Sequence, residues 1–401
     1  MKPSPAPAVP RHPWADGLLI LVFAVLIWLP TADSFNGMDI TRQPSENRAL
    51  APKPRLNRLD FSGVQSYAAA TELYFNDHFG FRKRLLRWFQ QWKSRLFRDP
   101  DPGMKRVITG QNGWLFFAQQ EMIEHYLGTA KFSTAQLQAW QKLLEKRRDW
   151  LAARGIKYLF VIPPDKHNIY SEQLPVWLQN AAPANRETKL DQFLKFMKEH
   201  STVEVLDLRQ PLLAAKATAP TYLQNDTHWN AFGAFIGCQE VIKTLTRQFP
   251  DLPPLRLEDF TWTNTPVSSG DLARMLLGAD APEKNYFTFT PKPSVLVPLV
   301  RPVTNLVLQW NMHNSNAVSV VAENPAPLTE TAVVFHDSFF GNRWRLFFGG
   351  SFKRVLYVWE DREFNAQIIE DNHPKIVVSE MLERFFNTYD PEELMAKEAL
   401  P

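Results

Sequence analysis

Residues 332–342 read AVVFHDSFFGN. Four apolar residues give way at once to His336, Asp337 and Ser338, with Gly341 and Asn342 just beyond. A short apolar run bounded in this way predicts a buried strand. The residues after it predict a strand-to-helix turn that exposes Ser338. A serine on such a turn can have its oxyanionic transition state stabilised by backbone N–H groups. Its own N–H is one donor, and Gly341 N–H or Asn342 is a candidate for the second. The hydroxyl is a weak nucleophile at neutral pH and needs an adjacent base.

The same pattern recurs along the chain. Lys157–Ile162 (KYLFVI), Val203–Leu208 (VEVLDL), Arg354–Trp359 (RVLYVW) and Lys375–Val378 (KIVV) are short β-rich runs. Between them lie helical stretches: Ser133, read as an N-cap, to Arg154 with a stop at Gly155, a stretch near 186–200, and Phe232–Phe249. Strands alternating with helices predict a mostly parallel sheet covered on both faces. Val107–Phe117 (VITGQNGWLFF) reads as a hairpin turning at Gln111-Asn112-Gly113. The α/β unit is expected over residues 105–392, with a Pro-rich irregular insertion at about 280–330 that includes NYFTFT and VTNLVLQW.

A base is available in NDTHWNAFGAF, Asn225–Phe235. In an extended segment residues i and i+2 project to one side, so Asp226 could hold one imidazole nitrogen of His228 and leave the other facing Ser338. The bland alternative is an N-cap at Asp226 with His228 satisfied nearby. His336 and Asp337 form a rival pair beside the serine, or a metal-binding pair with His228. Zinc needs about four converging ligands, and no further spacing supplies them, so no metal and no cofactor are expected. The single Cys238 excludes an internal disulfide, and its apolar helical setting predicts a buried thiol.

Lys+Arg 45 against Asp+Glu 42 leaves a net charge of +3, which does not point to nucleic acid. Gly17–Leu29 (GLLILVFAVLIWL) is an apolar run of 13 residues preceded by Lys2, Arg11 and His12. It reads as a cleaved signal peptide or an uncleaved signal anchor. The poor cleavage site around Leu29-Pro30-Thr31-Ala32 favours the anchor. Residues 1–32 are then a cytoplasmic tail and a single inner-membrane helix, with the rest of the chain in the periplasm. Residues 33–104 read as a linker followed by a basic amphipathic helix over 66–98.

DTHWNAFGAF together with VVFHDSFFG resembles the SGNH-hydrolase-like domain of the AlgJ/AlgX family of alginate O-acetyltransferases. Further matching landmarks, in order, are Glu46-Asn47-Arg48, Phe75–Arg82, Asn112–Phe116, Val161–Lys166, Gly270-Asp271-Leu272 and Glu380-x-x-Glu383-Arg384. The resemblance covers about residues 45–390. It implies a flavodoxin-like three-layer α/β/α sandwich, with Ser338 as nucleophile, His228 as base and Asp226 as its orienter. It implies acetylation of a secreted polysaccharide, with a membrane-bound O-acyltransferase (MBOAT) protein bringing the acyl group across the membrane. Lys166 and His167 become candidates for the cleft rim; by residue type Trp229 and Arg343 are candidates for a glycan-facing wall, with core packing the favoured reading for Trp229. Glu380, Glu383 and Arg384 are expected to form a structural ion-pair network. Ordinary SGNH enzymes place the serine early; the reversed order here is that of the acetyltransferase family. The closeness of residue 401 to Glu383-Arg384 suggests the anchored AlgJ branch, without a carbohydrate-binding module. An esterase of the same chemistry and a non-catalytic polysaccharide-binding subunit are the rival functions.

Overall fold

The computed structural model describes residues 13–36, 51–56, 60–81, 84, 85, 88, 106–266, 270–277, 282–295, 297–303, 319–359, 364–398 and 400. These fall into two compact units, Met1–Pro100 and Asp101–Pro401.

In the first unit, the apolar run lies inside a 24-residue helix, Pro13–Asn36. Leu19, Ile20, Phe23 and Trp28 on it are exposed. Among the described residues no helix is long and apolar enough to cross a membrane. A second helix, Phe61–His78, starts earlier than the expected residue 66 because Asp60 caps it, accepting from Gly63 N at 2.8 Å. It closes at His78, and Phe81 follows with φ 57°. Most of the basic stretch to Arg98, and the Glu46-Asn47-Arg48 motif, lie outside the described residues.

The second unit opens with an antiparallel hairpin, β1 (Val107–Thr109) and β2 (Leu115–Phe117), turning through Gln111–Gly113. The chain then builds β3 (Lys157–Ile162), β4 (Val205–Asp207), β5 (Phe260–Asn264), β6 (Phe287–Pro291), β7 (Leu299–Pro302), β8 (Val320–Glu323), β9 (Thr331–His336), β10 (Arg354–Trp359) and β11 (Ile376–Glu380). Seven of these form one sheet in the order β4-β3-β11-β9-β10-β8-β7. The first five are parallel, and β8 and β7 add antiparallel at one edge. The stretch expected as an irregular insertion therefore contributes β7 and β8 to the main sheet, while β6 pairs with β5 in a separate ribbon. VTNLVLQW lies outside the described residues apart from Val303.

Alternation along the central strands feeds two cores. Leu159, Val161, Val334 and Val378 join one, while Phe160, Ile162, Val333 and Val377 join the other. Each fully buried side chain of this kind is worth about 1.5–3 kcal/mol against exposure. Helix Thr134–Ala152 covers one face, and its Ser133 N-cap forms a capping box with Gln136. It ends before Gly155, whose φ of 70° suits glycine. Helix Ala231–Leu245 covers the other face. This is the mixed α/β, mostly parallel arrangement expected, and its polar strand ends gather on one edge, where such sheets carry their sites.

Candidate active site

The base side is built on residues 221–230. Tyr222 and Trp229 pair as an antiparallel bridge, and Leu223 N donates to His228 O at 3.2 Å. Asn230 then caps helix Ala231–Leu245 by accepting from Gly233 N at 2.9 Å. Glycine is required at 233, since a Cβ there would sit 2.1 Å from Thr221 O. The tip of this hairpin-like loop, Gln224–Thr227, carries the acid and positions the imidazole.

Asp226 reaches His228 by wrapping back, not by lying on one side of an extended strand. Its Oδ1 accepts the His228 backbone N–H at 3.0 Å and the ring Nδ1–H at 2.7 Å. That Asx turn explains the x-spaced pair. With Nδ1–H donating to the carboxylate, Nε2 is left as an acceptor, 2.8 Å from Ser338 Oγ. The expected residues Ser338, His228 and Asp226 thus lie in one hydrogen-bonded line. Burial disfavours charge on Asp226, but His228 and the backbone donors outweigh it and hold its pKa below the usual carboxylate range.

Three more charged side chains fix the tip. Asp271 accepts from Thr227 N at 2.8 Å and from its hydroxyl at 2.5 Å, and its own N–H donates to Asp226 Oδ2 at 2.9 Å. Its carboxylate is also 3.8 Å from His228 Nδ1. Glu283 accepts from the backbone N–H groups of Gln224 and Asn225 at 2.9 and 2.8 Å. Lys166 donates to the carbonyls of Leu223, Gln224 and Asp226 at 3.2, 3.3 and 2.7 Å. The Gly270-Asp271-Leu272 motif was the one sequence signal for Asp271; Glu283 had none.

The nucleophile side is the turn after β9. Asp337 accepts from Phe339 N at 2.7 Å and Leu382 N at 2.9 Å, so its carboxylate faces inward. Burial raises its pKa. Phe339, Phe340 and Trp344 pack with Trp229, whose indole N–H donates to Phe339 O at 3.0 Å. Among the described residues the Ser338 backbone N–H has no acceptor, which leaves it available to an oxyanion. Gly341 N–H, the expected second donor, instead donates back to Ser338 O at 3.3 Å and closes the turn. The side chains of Asn342 and Arg343 lie outside the described residues.

Three candidate substrate contacts are buried: Lys166 and His167 against the rim reading, Trp229 in line with its core-packing reading. Lys166 is drawn under the loop by its three carbonyls. His167 packs against Phe116 and Tyr126, and burial lowers its pKa to about 3. Trp229 fills the aromatic stack. The rival His336 is also buried, with Nδ1 2.6 Å from Asp337 O and a pKa lowered to about 4 by burial. Glu380 and Glu383 accept from the backbone N–H groups of Asp337 at 2.9 Å and of Asp165 at 2.8 Å. Arg384 lies over the Phe117 ring at 4.8 Å. Among the described residues, the carboxylates and imidazole that converge within 4.8 Å are Asp226, His228 and Asp271. Each carboxylate oxygen and ring nitrogen of the three already has a hydrogen-bond partner, which holds the base in place.

Residues 107–293 match the family described as "ALGX: SGNH hydrolase-like domain, acetyltransferase AlgX". Two proteins named "Probable alginate O-acetylase AlgJ" are similar in sequence. The one from Pseudomonas putida is 26% identical over 45% of this chain and 44% of its own length. The one from Pseudomonas fluorescens is 26% identical over 66% and 62%. The matched part of the chain thus spans less than two thirds of these relatives. Bacillus cereus PatB1 shares the fold, with a TM-score of 0.51, 18% identity and coverage of 71% of this chain and 98% of that one. A DHHW family protein from Eubacterium siraeum does so with a TM-score of 0.50, 13% identity, and coverage of 74% and 100%. Over residues 107–293 the chain is similar to the SGNH hydrolase-like domain of AlgJ/AlgX-type proteins.

Proposed function

From that similarity we propose that the chain is an O-acyltransferase acting on hydroxyls of a secreted polysaccharide through Ser338, His228 and Asp226. The observation that carries the reading is the relay itself: 2.8 Å from Ser338 Oγ to His228 Nε2, and 2.7 Å from Nδ1 to Asp226.

The steps follow from the geometry. His228 Nε2 takes the Ser338 proton as Oγ attacks the carbonyl of an acyl ester. Asp226, held ionised, stabilises the imidazolium. The Ser338 N–H faces the oxyanion. The tetrahedral adduct collapses, the donor oxygen leaves with the proton from His228, and an acyl-Ser338 ester remains. A sugar hydroxyl then gives its proton to Nε2 and attacks that ester. Collapse returns the proton to Ser338 and releases the O-acylated sugar.

The acetyl group and the alginate-like acceptor are read from the relatives' names. The exposed apolar side chains on helix Pro13–Asn36 support an anchor at the inner membrane, with the α/β unit in the periplasm. An MBOAT-type partner would then supply the acyl group, and tethering beside it raises its effective concentration.

The test uses the full chain in detergent, an activated acetyl ester and uronate or glucan oligosaccharides. Acetylated oligosaccharide by mass spectrometry, lost by about 10⁴-fold or more in Ser338→Ala, is the expected result. Free acetate without acetylated sugar would replace the transferase by an esterase. Equal blanks for both proteins would leave a polysaccharide-binding subunit.

A further inference from the structure

Lys166 is only 3% exposed. Its ammonium lies 5.6 Å from the Trp114 ring centroid and 5.2 Å from that of Phe116. Among the described residues no carboxylate comes within ion-pair distance of it. A buried charge left without a counter-ion is costly, and methionine would fill the space without that cost. What the site demands is three donors. The tip of the 221–230 loop turns the carbonyls of Leu223, Gln224 and Asp226 inward to one point, and the three N–H bonds of an ammonium match them.

We propose that Lys166 is a positioning residue for the Asp226–His228 pair, its buried ammonium gathering these three carbonyls so that the loop aims His228 at Ser338. The proposal rests on the reading of Ser338 as nucleophile. Asp226 is one of the three residues that Lys166 holds, and His228, two residues on, is bonded to Asp226 through both its backbone N–H and its ring. A displacement of about 1 Å in such a group can cost about 10²-fold in rate.

The clamp also makes the site sensitive to alkali. The charged groups around Lys166 are Asp226 on the loop, Asp271 at the start of helix Asp271–Leu277, and Glu283; His167 adjoins it on its own helix. The three carboxylates favour the ammonium, but burial outweighs them and lowers its pKa to about 8. Above that pH the neutral amine has two N–H bonds for three carbonyls and turns a lone pair toward the third. The loop then loses a contact while the protein stays folded. Stability and activity move in opposite directions here. The folded pKa lies below the usual value of 10.5, so this group's stability contribution rises with pH between the two values as activity falls.

The test follows sulfonylation of Ser338 by an aryl sulfonyl fluoride, read by intact mass on the full chain in detergent from pH 6 to 9.5. This readout needs no acyl donor or sugar. The wild-type rate is expected to fall about tenfold or more on the alkaline side of about 8. Lys166→Met, folded by circular dichroism, is expected to label about 10²-fold more slowly at pH 7 and to show no alkaline limb. A wild-type rate that is flat or rising to pH 9.5 overturns the proposal, as does a Lys166→Met protein labelled at the wild-type rate. If that variant does not fold, the wild-type limb alone decides. A wild-type protein with no label on Ser338 at any pH overturns the nucleophile reading itself, and the clamp with it.

Discussion

Two short loops face each other across the site and are held by different physics. The base loop, 221–230, has its tip pinned by charges: Lys166 on its carbonyls, Glu283 and Asp271 on its N–H groups. The nucleophile turn, 337–341, carries one inward carboxylate and otherwise rests on rings, with the Phe340 and Trp344 centroids 3.4 Å apart. The contrast fits the two tasks. An imidazole must be held in one tautomer and orientation while its charge changes, and fixed charges do that directly. A serine needs only a rigid platform, and packing at the end of a buried strand supplies one. Damage should differ accordingly: on the base side it should cost rate, on the nucleophile side stability.

The largest effect is expected from Asp226→Asn. The amide cannot select the Nδ1–H tautomer as a carboxylate does, so kcat should fall by about 10³–10⁴-fold with little change in melting temperature. Retention of more than a tenth of the wild-type kcat would remove Asp226 from the proposed relay. Next, Trp344→Ala opens a cavity beneath the nucleophile turn. Denaturant titration should report a loss of about 3–5 kcal/mol. A loss under about 1 kcal/mol would erase the contrast between the two loops. The smallest effect tests the carboxylates below both. Burial, with Glu383 close by, raises the Asp165 pKa to about 8. An acid with a raised folded pKa contributes stability that is complete below its unfolded value and is lost as pH climbs through the folded one. The Asp165 contribution should therefore decline between about pH 4 and 8, against the opposite rise that buried His167 and His336 give up to about pH 6.5. It is read as the difference between wild type and Asp165→Asn, which should stay within about 1 kcal/mol at pH 5 and close as pH approaches 8. An unchanged slope would place the titration elsewhere in the cluster.

The strands and the Ser133 cap could be read from sequence because each is a local pattern, while Asp226, His228 and Ser338 stood out as a set through the family resemblance and not through the Asp-x-His spacing alone. A run such as AVVF followed by polar residues announces a strand end whatever surrounds it. The holders of the base loop could not be read in this way. Asp271 meets Thr227 across 44 residues, Glu283 meets Asn225 across 58, and Lys166 meets Asp226 across 60. A lysine after Pro163-Pro164 looks like a rim residue until the fold turns three carbonyls toward it. Trp229 was ambiguous for the related reason that a glycan platform and a core tryptophan have the same local sequence. Nor did the strand runs reveal that β7 and β8 extend the main sheet, since edge pairing depends on which strands reach it.

The strand order has a consequence for the chain as it is made. β11, residues 376–380, lies between β3 and β9, so a central strand of the sheet is made after the other six. Until it arrives, the half with the base and the half with the serine share no backbone ladder. A nascent chain stalled before residue 376 would hold every reacting side chain but lack the strand that joins the two halves of the sheet.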